Sequence, residues 1–301
     1  MIDSRGTTRG LLTAVTALSM VWYLTNPVLV DAEDDTAKIA ARNPFFAYCH
    51  DTHDTKKRSL EEQAQLLKEL GYDGVGHLWL DDIGERLKTL DEHGLQLFQV
   101  YIRVSIDPNK PKYDPRLPEV IKQLKGRDTI LGMLITGMEP SDEAGDERAV
   151  RIVREVADMA QASGLRIAFY PHTNDWMERI EDGIRLAEKV DRDHVGLMFN
   201  LCHWMKAQQG KKMRPLLKAA MPHLFVVTIN GSDHEGNWDR LIQPLDAGDF
   251  DIYGFLRTLK ALGYRGPVGL MGYGMRVDAR DPLSRSMTAW RELTDRLAAE
   301  T

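Results

Sequence analysis

The sequence has few cysteines and no excess of basic residues, and both shortages exclude classes of protein. Two cysteines in 301 residues are too few for a scaffold held together by disulfides. Asp and Glu number 45 against 39 Lys and Arg, so the net charge is −6. A phosphate backbone is bound by clustered Lys and Arg, and we therefore expect no nucleic-acid partner. The content of hydrophobic residues, 43%, is that of a globular protein rather than a disordered one.

Long uncharged runs are also absent, apart from one at the start of the chain. Arg5 and Arg9 precede an uncharged stretch over residues 11–30, and a small residue, Ala32, follows before an acidic segment. A basic N-terminal region, an apolar run and a small residue at the cleavage site are typical of a secretory signal peptide. We therefore expect export of the protein to the periplasm or the extracellular space.

The alternative for this segment is a membrane anchor, because about 20 apolar residues can cross a bilayer. Asn26 and Pro27 interrupt the run and favour cleavage. We expect residues 1–32 to be a removed signal peptide, leaving no stable membrane span. Residues 33–44 then form a short N-terminal segment, and 45–301 form the folded domain.

Eight short apolar runs alternate with amphipathic helical patterns over this domain. The predicted strands are Phe45–Cys49, Val75–Trp79, Leu95–Ile102, Thr129–Thr136, Leu165–Tyr170, Val195–Phe199, Leu224–Ile229 and Pro267–Met271. Most are continuous apolar runs, as parallel strands buried on both faces are. A (β/α)8 barrel has eight such units in about 250 residues. A doubly wound sheet usually has fewer strands and a G-x-G-x-x-G turn after the first, which this sequence lacks. We predict a single-domain α/β TIM barrel.

A near repeat marks two of the helix-to-strand junctions. The segment Leu67–Gly74 reads LKELGYDG, and Leu259–Gly266 reads LKALGYRG. In each copy an amphipathic run ends at a glycine, which tolerates the left-handed conformation that closes many helices.

Polar residues collect where the predicted strands end, which is the face of a barrel that carries its chemistry. Six of the nine histidines fall there: His50, His53, His77, His172, His203 and His234. The other candidates at these strand ends are Arg103, Glu139, Tyr170, Asn200, Trp204, Asn230 and Tyr273. A single histidine is more often structural than catalytic, but six at one rim predict a polar pocket.

Tryptophans occupy the same rim segments. The rings of Trp79, Trp204 and Trp238 suit the apolar face of a sugar. The alternative is that they only cover the mouth of the barrel.

The two cysteines are predicted to remain thiols. Cys49 and Cys202 end strands one and six, which are not neighbours in an eight-stranded ring, whereas a disulfide needs Cα atoms within about 7 Å. We also discount a nucleophilic pair of Cys202 and His203, because adjacent residues of a strand point to opposite sides.

The order of elements and three short motifs resemble one family. The motifs are LGYRGPVGL before the last strand, Phe169–His172 (FYPH) after strand five, and Asn200–His203 (NLCH) after strand six. Together they resemble the xylose isomerase-like sugar phosphate isomerase/epimerase superfamily, over residues 45–297. The resemblance implies a TIM barrel that binds a small carbohydrate. It also implies one divalent metal, held by a Glu, an Asp, a His and a Glu from strands five to eight.

The residues at those four positions differ from the family pattern. Tyr170, Asn200, Thr228 and Met271 stand where the resemblance places the ligands. Three neutral oxygen groups and a thioether are a poor set for a hard divalent ion. We therefore predict that the usual metal site is lost. His172 and His203, which the resemblance places next to substrate, are retained.

Three functions remain open for this altered site. In the first, His172, His203 or His77 removes a proton next to a carbonyl, while donors such as Arg103 and Asn230 stabilise the oxyanion. The outcome would be isomerisation, epimerisation or elimination of an exported keto-sugar. In the second, His50, His77, His172 and His203 build a new site for zinc. In the third, the barrel binds a sugar or polyol without turning it over. The sequence indicates no particular substrate, replacement cofactor or oligomeric state.

Overall fold

A computed structural model describes residues 43–207 and 212–300 of the protein. Eight parallel strands close a barrel in chain order, with β1 pairing with both β2 and β8. The strands are β1 Phe45–Tyr48, β2 Gly74–Leu78, β3 Gln96–Ser105, β4 Ile130–Thr136, β5 Arg166–Phe169, β6 Val195–Asn200, β7 Leu224–Ile229 and β8 Val268–Met271. The prediction of a TIM barrel is confirmed, because the eight strands pair side by side in parallel and close into one barrel.

Helices follow the strands and pack against the outside of the barrel. They are α1 Leu60–Leu70, α2 Ile83–His93, α3 Leu117–Gln123, α4 Asp146–Ala162, α5 Ile180–Val190, α6 Leu201–Ala207, α7 Met213–Ala220, α8 Trp238–Leu241, α9 Ile252–Ala261 and α10 Arg280–Ala299. Ser59 and Glu62 form a reciprocal capping box at the start of α1. Gly71 ends that helix with φ +85°, and Gly263 follows α9 with the same φ, as the repeated junction predicts.

The interior of the barrel is unusually aromatic at its upper end. The ring centres of Tyr48 and Tyr101 are 4.1 Å apart, and Tyr170 meets Tyr101 edge-on at 5.6 Å. Gly132 makes room for these rings, since a Cβ there would lie 2.8 Å from the ring of Tyr101. The strands thus combine large and small side chains to fill the barrel, and the tyrosines form the floor beneath its mouth.

The short helix α6 corrects one argument made from the sequence. It begins at Leu201, directly after β6, so Cys202 and His203 are helical neighbours rather than alternating strand residues. The thiol of Cys202 contacts Oδ1 of Asn200 at 3.0 Å, while His203 turns towards the barrel mouth. Cys49 and Cys202 are both free, as predicted, and both are buried.

The predicted signal peptide over residues 1–32 and most of the segment 33–44 lie outside the described residues. Within residues 43–207 and 212–300, no helix is long and apolar enough to cross a membrane.

Candidate functional site

A cavity of about 910 Å³ opens at the carboxyl ends of the strands. We call it the mouth cavity. The side chains of Tyr48 and Tyr170 form its floor, and its walls include Arg103, Trp79, His172, His203, Trp238 and Tyr273. A cavity of this size, with apolar walls and a few polar groups, is the usual form of a small-molecule site.

Two imidazoles face each other inside the mouth cavity. The ring centres of His172 and His203 are 4.0 Å apart, with the planes tilted by 41°. His172 follows β5 and His203 lies in α6 after β6, so the two neighbouring strands bring them together. The two histidines that the resemblance places next to substrate therefore lie together in the mouth cavity.

Thr173 determines the protonation of both rings. Its backbone N–H donates to Nδ1 of His203 at 3.3 Å, and its hydroxyl lies 3.1 Å from the same nitrogen. A backbone N–H can only donate, so Nδ1 of His203 carries no proton and Nε2 carries one. On the other side, Nδ1 of His172 lies 3.1 Å from the carbonyl oxygen of Thr173. A carbonyl can only accept, so His172 is protonated at Nδ1 and has a free lone pair at Nε2.

Burial keeps both rings neutral. Burial, together with a smaller contribution from the charge of Arg103, lowers the pKa of His172 to about 4. Burial also holds the pKa of His203 well below its ordinary value, with a smaller contribution from His172. At neutral pH the mouth cavity therefore presents one imidazole that accepts at Nε2 and one that donates at Nε2.

Asp175 lies behind His172 and was missed in the sequence analysis. Its Oδ2 is 3.5 Å from Nδ1 of His172, and that oxygen is buried without a hydrogen-bond partner in the described part of the chain. Burial, partly offset by the charge of Arg103, raises the pKa of Asp175 to about 6. The polar run from His172 to Asp175, directly after a buried strand, was the available signal.

The positions of the family's metal ligands hold a hydrogen-bonded network instead. The amide of Asn200 donates to the hydroxyl of Tyr170 at 2.9 Å, and its Oδ1 accepts from the backbone N–H of His203 at 3.3 Å. Burial raises the pKa of Tyr170 well above its ordinary value, so the phenol stays neutral. Asn200 thus uses its polar atoms to hold Tyr170 and α6 in place.

The remaining two positions add no ligand. Thr228 is fully buried, and Met271 contributes a thioether to the floor of the mouth cavity. A divalent cation prefers carboxylate, imidazole or thiolate ligands, so these four residues do not fit the metal of the family. In residues 43–207 and 212–300, no three His, Cys, Asp or Glu side chains are grouped to hold a metal. The arrangement therefore gives no support to a zinc site of histidines, the alternative that the sequence leaves open.

His50 and His77 are buried outside the mouth cavity. Nδ1 of His77 accepts from Nε of the fully buried Arg86 at 3.2 Å, and its Nε2 donates to the carbonyl of Asp81 at 2.7 Å. Both ring nitrogens are thus committed to the structure, which leaves His77 no lone pair for a reaction. His50 has no hydrogen-bond partner for either ring nitrogen among the described residues, and burial lowers its pKa.

Four further residues were predicted to contact substrate, and the structure places them in different surroundings. Tyr273 lines the mouth cavity and is 50% exposed. Asn230 is buried and donates to the carbonyls of Gly231 and Leu241, so it fastens the loop after β7. Glu139 is exposed and lies outside the mouth cavity. Trp204 packs against Phe199 with ring centres 6.1 Å apart and also lies outside the cavity, a position that does not suit contact with a sugar.

Arg103 supplies positive charge at the cavity wall. Its guanidinium lies 4.8 Å from the ring centre of Trp79 and, in the part of the chain that the structure describes, makes no hydrogen bond or ion pair. A cation stacked on an indole keeps its N–H donors free for a ligand.

The fold and this cavity define an α/β barrel with a polar pocket at the carboxyl face of its strands, the place where TIM barrels carry their sites. The model of the xylose isomerase-like TIM barrel family matches residues 64–293. The chain belongs to this family, as the motifs after strands five and six predicted.

Solved structures with the same fold include sugar epimerases and a dehydratase. D-allulose 3-epimerase from Methylomonas sp., solved with D-allulose, is 17% identical, with a TM-score of 0.65 over 83% of this chain and 97% of that one. The 3-keto-D-glucoside 4-epimerase from E. coli is 16% identical, with a TM-score of 0.65 over 83% and 99%. The probable 3-DHS dehydratase from Bacillus anthracis is 13% identical, with a TM-score of 0.65 over 82% and 98%. Among curated proteins, no sequence matches. At these identities the likeness shows the fold alone.

Proposed function

We propose that the protein moves a proton next to the carbonyl of a keto-sugar, without the metal that the family resemblance implies. The observation that carries this proposal is the pair of opposite tautomers at 4.0 Å, with His172 accepting and His203 donating. A base and a hydrogen-bond donor in one desolvated cavity are the two groups that formation of an enediol requires.

His172 is the base of the reaction. Its Nε2 lone pair takes the proton from the carbon next to the carbonyl, and the electrons of that C–H bond form the double bond of the enediolate. The imidazolium that results has Asp175 within 3.5 Å of Nδ1, where a carboxylate stabilises the new charge.

His203 and Arg103 support the oxygen of the carbonyl. The Nε2–H of a neutral imidazole can polarise a carbonyl without becoming charged itself. Arg103 adds a full positive charge on the same cavity, which favours the oxyanion over the ketone. In isomerisation, His172 delivers its proton to the former carbonyl carbon, and the hydroxyl proton of the carbon that lost its hydrogen passes to the former carbonyl oxygen. In elimination, the bond to the leaving group breaks as that group takes the proton from His172.

The placement of the two rings favours some outcomes of this chemistry over others. Because the base and the donor are stacked on one side of the cavity, the proton returns to the face from which it came. This supports isomerisation or elimination rather than inversion at a carbon, which needs a second base on the opposite face.

Deuterium exchange tests the proposal. The protein is incubated in D₂O with a panel of keto-sugars, and exchange next to the carbonyl is followed by NMR. We expect exchange with the parent protein and with His93→Asn, since His93 ends α2 far from the cavity, and a loss of about 100-fold or more with His172→Asn.

A barrel that only binds sugar is the second candidate. The committed hydrogen bonds of Asn200 and Tyr170, at positions where the resemblance places metal ligands, favour it. Sugar binding by calorimetry together with no exchange on any sugar of the panel would establish this function and refute proton transfer.

We further propose that the protein works outside the cytoplasm, on the basis of the basic start and apolar run at the beginning of the chain.

A further inference from the structure

A second cavity adjoins the mouth cavity. This side cavity, of about 760 Å³, lies between the ends of β3 and β4 and the segment that leads into α3. It shares Trp79 and Arg103 with the mouth cavity, so these two side chains form the boundary between the cavities.

The two cavities together are large for one sugar. The mouth cavity alone, at about 910 Å³, is near the upper end of the 300–1,000 Å³ range that encloses a drug-sized ligand. A monosaccharide held against His172 and His203 leaves the side cavity open beside it.

Trp79 occupies the boundary in a strained conformation. Its φ is +67°, in the left-handed region that bulky residues rarely adopt. Strain of this kind persists where the surrounding structure enforces it, and it collects at ligand sites. The indole is 36% exposed and stacks on Arg103, so it offers an apolar surface edged by hydrogen-bond donors.

The side cavity also offers a carboxylate as an acceptor. Asp175 lines this cavity, 16% of its side chain is exposed, and its carboxylate makes no hydrogen bond within the described ranges. The guanidinium of Arg103 likewise has free donors. One acceptor and several donors beside an aromatic ring are the groups that bind a sugar through its hydroxyls and its apolar face.

The other cations of the side cavity are neutralised by carboxylates. The pairs are Lys110–Asp107 at 3.8 Å, Lys112–Glu155 at 2.5 Å and Arg116–Asp81 at 2.7 Å. A phosphate group would need uncommitted positive charge, and among these residues only Arg103 provides it. The chemistry of the side cavity therefore favours a neutral polyol over an anion.

We propose that the side cavity is a second sugar subsite and that the substrate is a glycosylated keto-sugar. The keto unit lies against His172 and His203, and the attached unit stacks on Trp79 with hydrogen bonds to Arg103 and Asp175. This inference depends on the proposed function for the sugar in the mouth cavity, but it concerns binding and is measured without turnover.

Calorimetry with a defined set of sugars tests it. D-fructose is compared with four disaccharides that carry a fructose unit in different linkages: maltulose, lactulose, turanose and isomaltulose. We expect at least one disaccharide to bind about tenfold more tightly than fructose, the effect of burying one further apolar ring face. Trp79→Ala and Trp79→Gly, the second of which also relieves the left-handed strain, should reduce this advantage to less than about threefold.

Met138→Ala is the matched control, because Met138 is a similarly exposed apolar residue outside both cavities. It should keep the full advantage of the disaccharide. The subsite is refuted if no disaccharide exceeds fructose by about threefold, if folded Trp79 variants keep the advantage, or if fructose 6-phosphate binds more tightly than every disaccharide. A lasting disaccharide advantage with no deuterium exchange would refute the proposed reaction and leave the subsite in place. Deuterium exchange without any disaccharide advantage would refute the subsite and leave the proposed reaction in place.

Discussion

The backbone N–H of Thr173 points at Nδ1 of His203 from 3.3 Å, and this one contact decides which nitrogen of that ring can serve a ligand. The carbonyl oxygen of Thr173 makes the opposite choice for the ring of His172. One peptide segment after β5 thus prepares an acceptor and a donor side by side, with no charged group needed to differentiate them.

These tautomers can be observed directly. In protein labelled with ¹⁵N-histidine, long-range ¹H–¹⁵N spectra at pH 7 should show His203 protonated at Nε2 and His172 at Nδ1. Assignments come from the His172→Asn and His203→Asn variants, each of which removes one set of signals. Two rings in the same tautomer would contradict the roles of Thr173 and of the pair.

Asp175 gives the reaction its pH dependence. Since burial raises its pKa to about 6, the carboxylate that stabilises protonated His172 is present above that pH and absent below it. We expect the deuterium-exchange rate to rise with pH through about 6 and then to level off, because His172 with a pKa of about 4 is already neutral there.

The Asp175→Asn variant should lose this rise as well as about 10- to 100-fold of the rate. It should still bind D-fructose, because Asp175 acts through His172 in the mouth cavity. A variant with the parent's pH profile at a lower rate would indicate a purely structural role for Asp175.

The buried histidines also make stability depend on pH. The pKa of His203 is lowered in the folded protein, so below about pH 6.5 the unfolded chain takes up a proton that the folded chain does not. The free energy of unfolding should therefore decrease as the pH falls from 7 to 5, by up to about 1.4 kcal/mol per pH unit for this group.

Urea denaturation of the parent and of His203→Asn over this pH range measures the effect. The variant should show a shallower decrease, since an amide does not titrate. His50 and His77, whose pKa values are lowered in the same direction, are common to both proteins and cancel in the comparison. Equal slopes would place His203 in a more solvated environment than its burial indicates.

Removal of metal ions by a chelator should leave the deuterium-exchange rate unchanged. Tyr170, Asn200, Thr228 and Met271 provide no carboxylate or imidazole, so EDTA and added Mn²⁺ or Mg²⁺ should alter the exchange rate by less than about twofold. Loss of activity with EDTA and its recovery with one metal would show a site built from other residues.

N-terminal sequencing tests the predicted cleavage of a signal peptide. Protein recovered from its native host should have an N-terminus near Glu33 when sequenced, because cleavage after small residues such as Ala32 is typical of exported proteins. A soluble form that keeps Met1 would refute export.

The fold was predictable because its signals are local. Apolar runs, glycine-terminated helices and the capping box at Ser59 each act within a few residues, and they place every strand within two or three residues of the observed limits. His172 and His203 were predictable for the same reason, since both follow strand ends directly.

What escaped prediction depends on loop geometry. Thr173 and Asp175 act through a turn after β5 whose shape has no periodic pattern in the sequence. Trp204 was expected at the cavity because it lies just after the predicted end of strand six. A helix, α6, begins there at Leu201 and rotates each residue by about 100°, so the side chain of Trp204 is directed elsewhere. His77 was expected to be reactive because it lies near a strand end. Its structural role was not foreseen, since its partner, Arg86, is nine residues away in another element.

The pairing of the first and last strands also determines when the barrel can close during synthesis of the chain. Phe45 of β1 pairs with Val268 of β8, and its ring stacks on Trp290 of α10 with centres 4.3 Å apart. A ribosome must therefore release nearly the whole polypeptide before β1 finds its second neighbour. Until then the nascent sheet has an edge strand without a partner on each side. Such strands are exposed to chaperones, and folding is completed late.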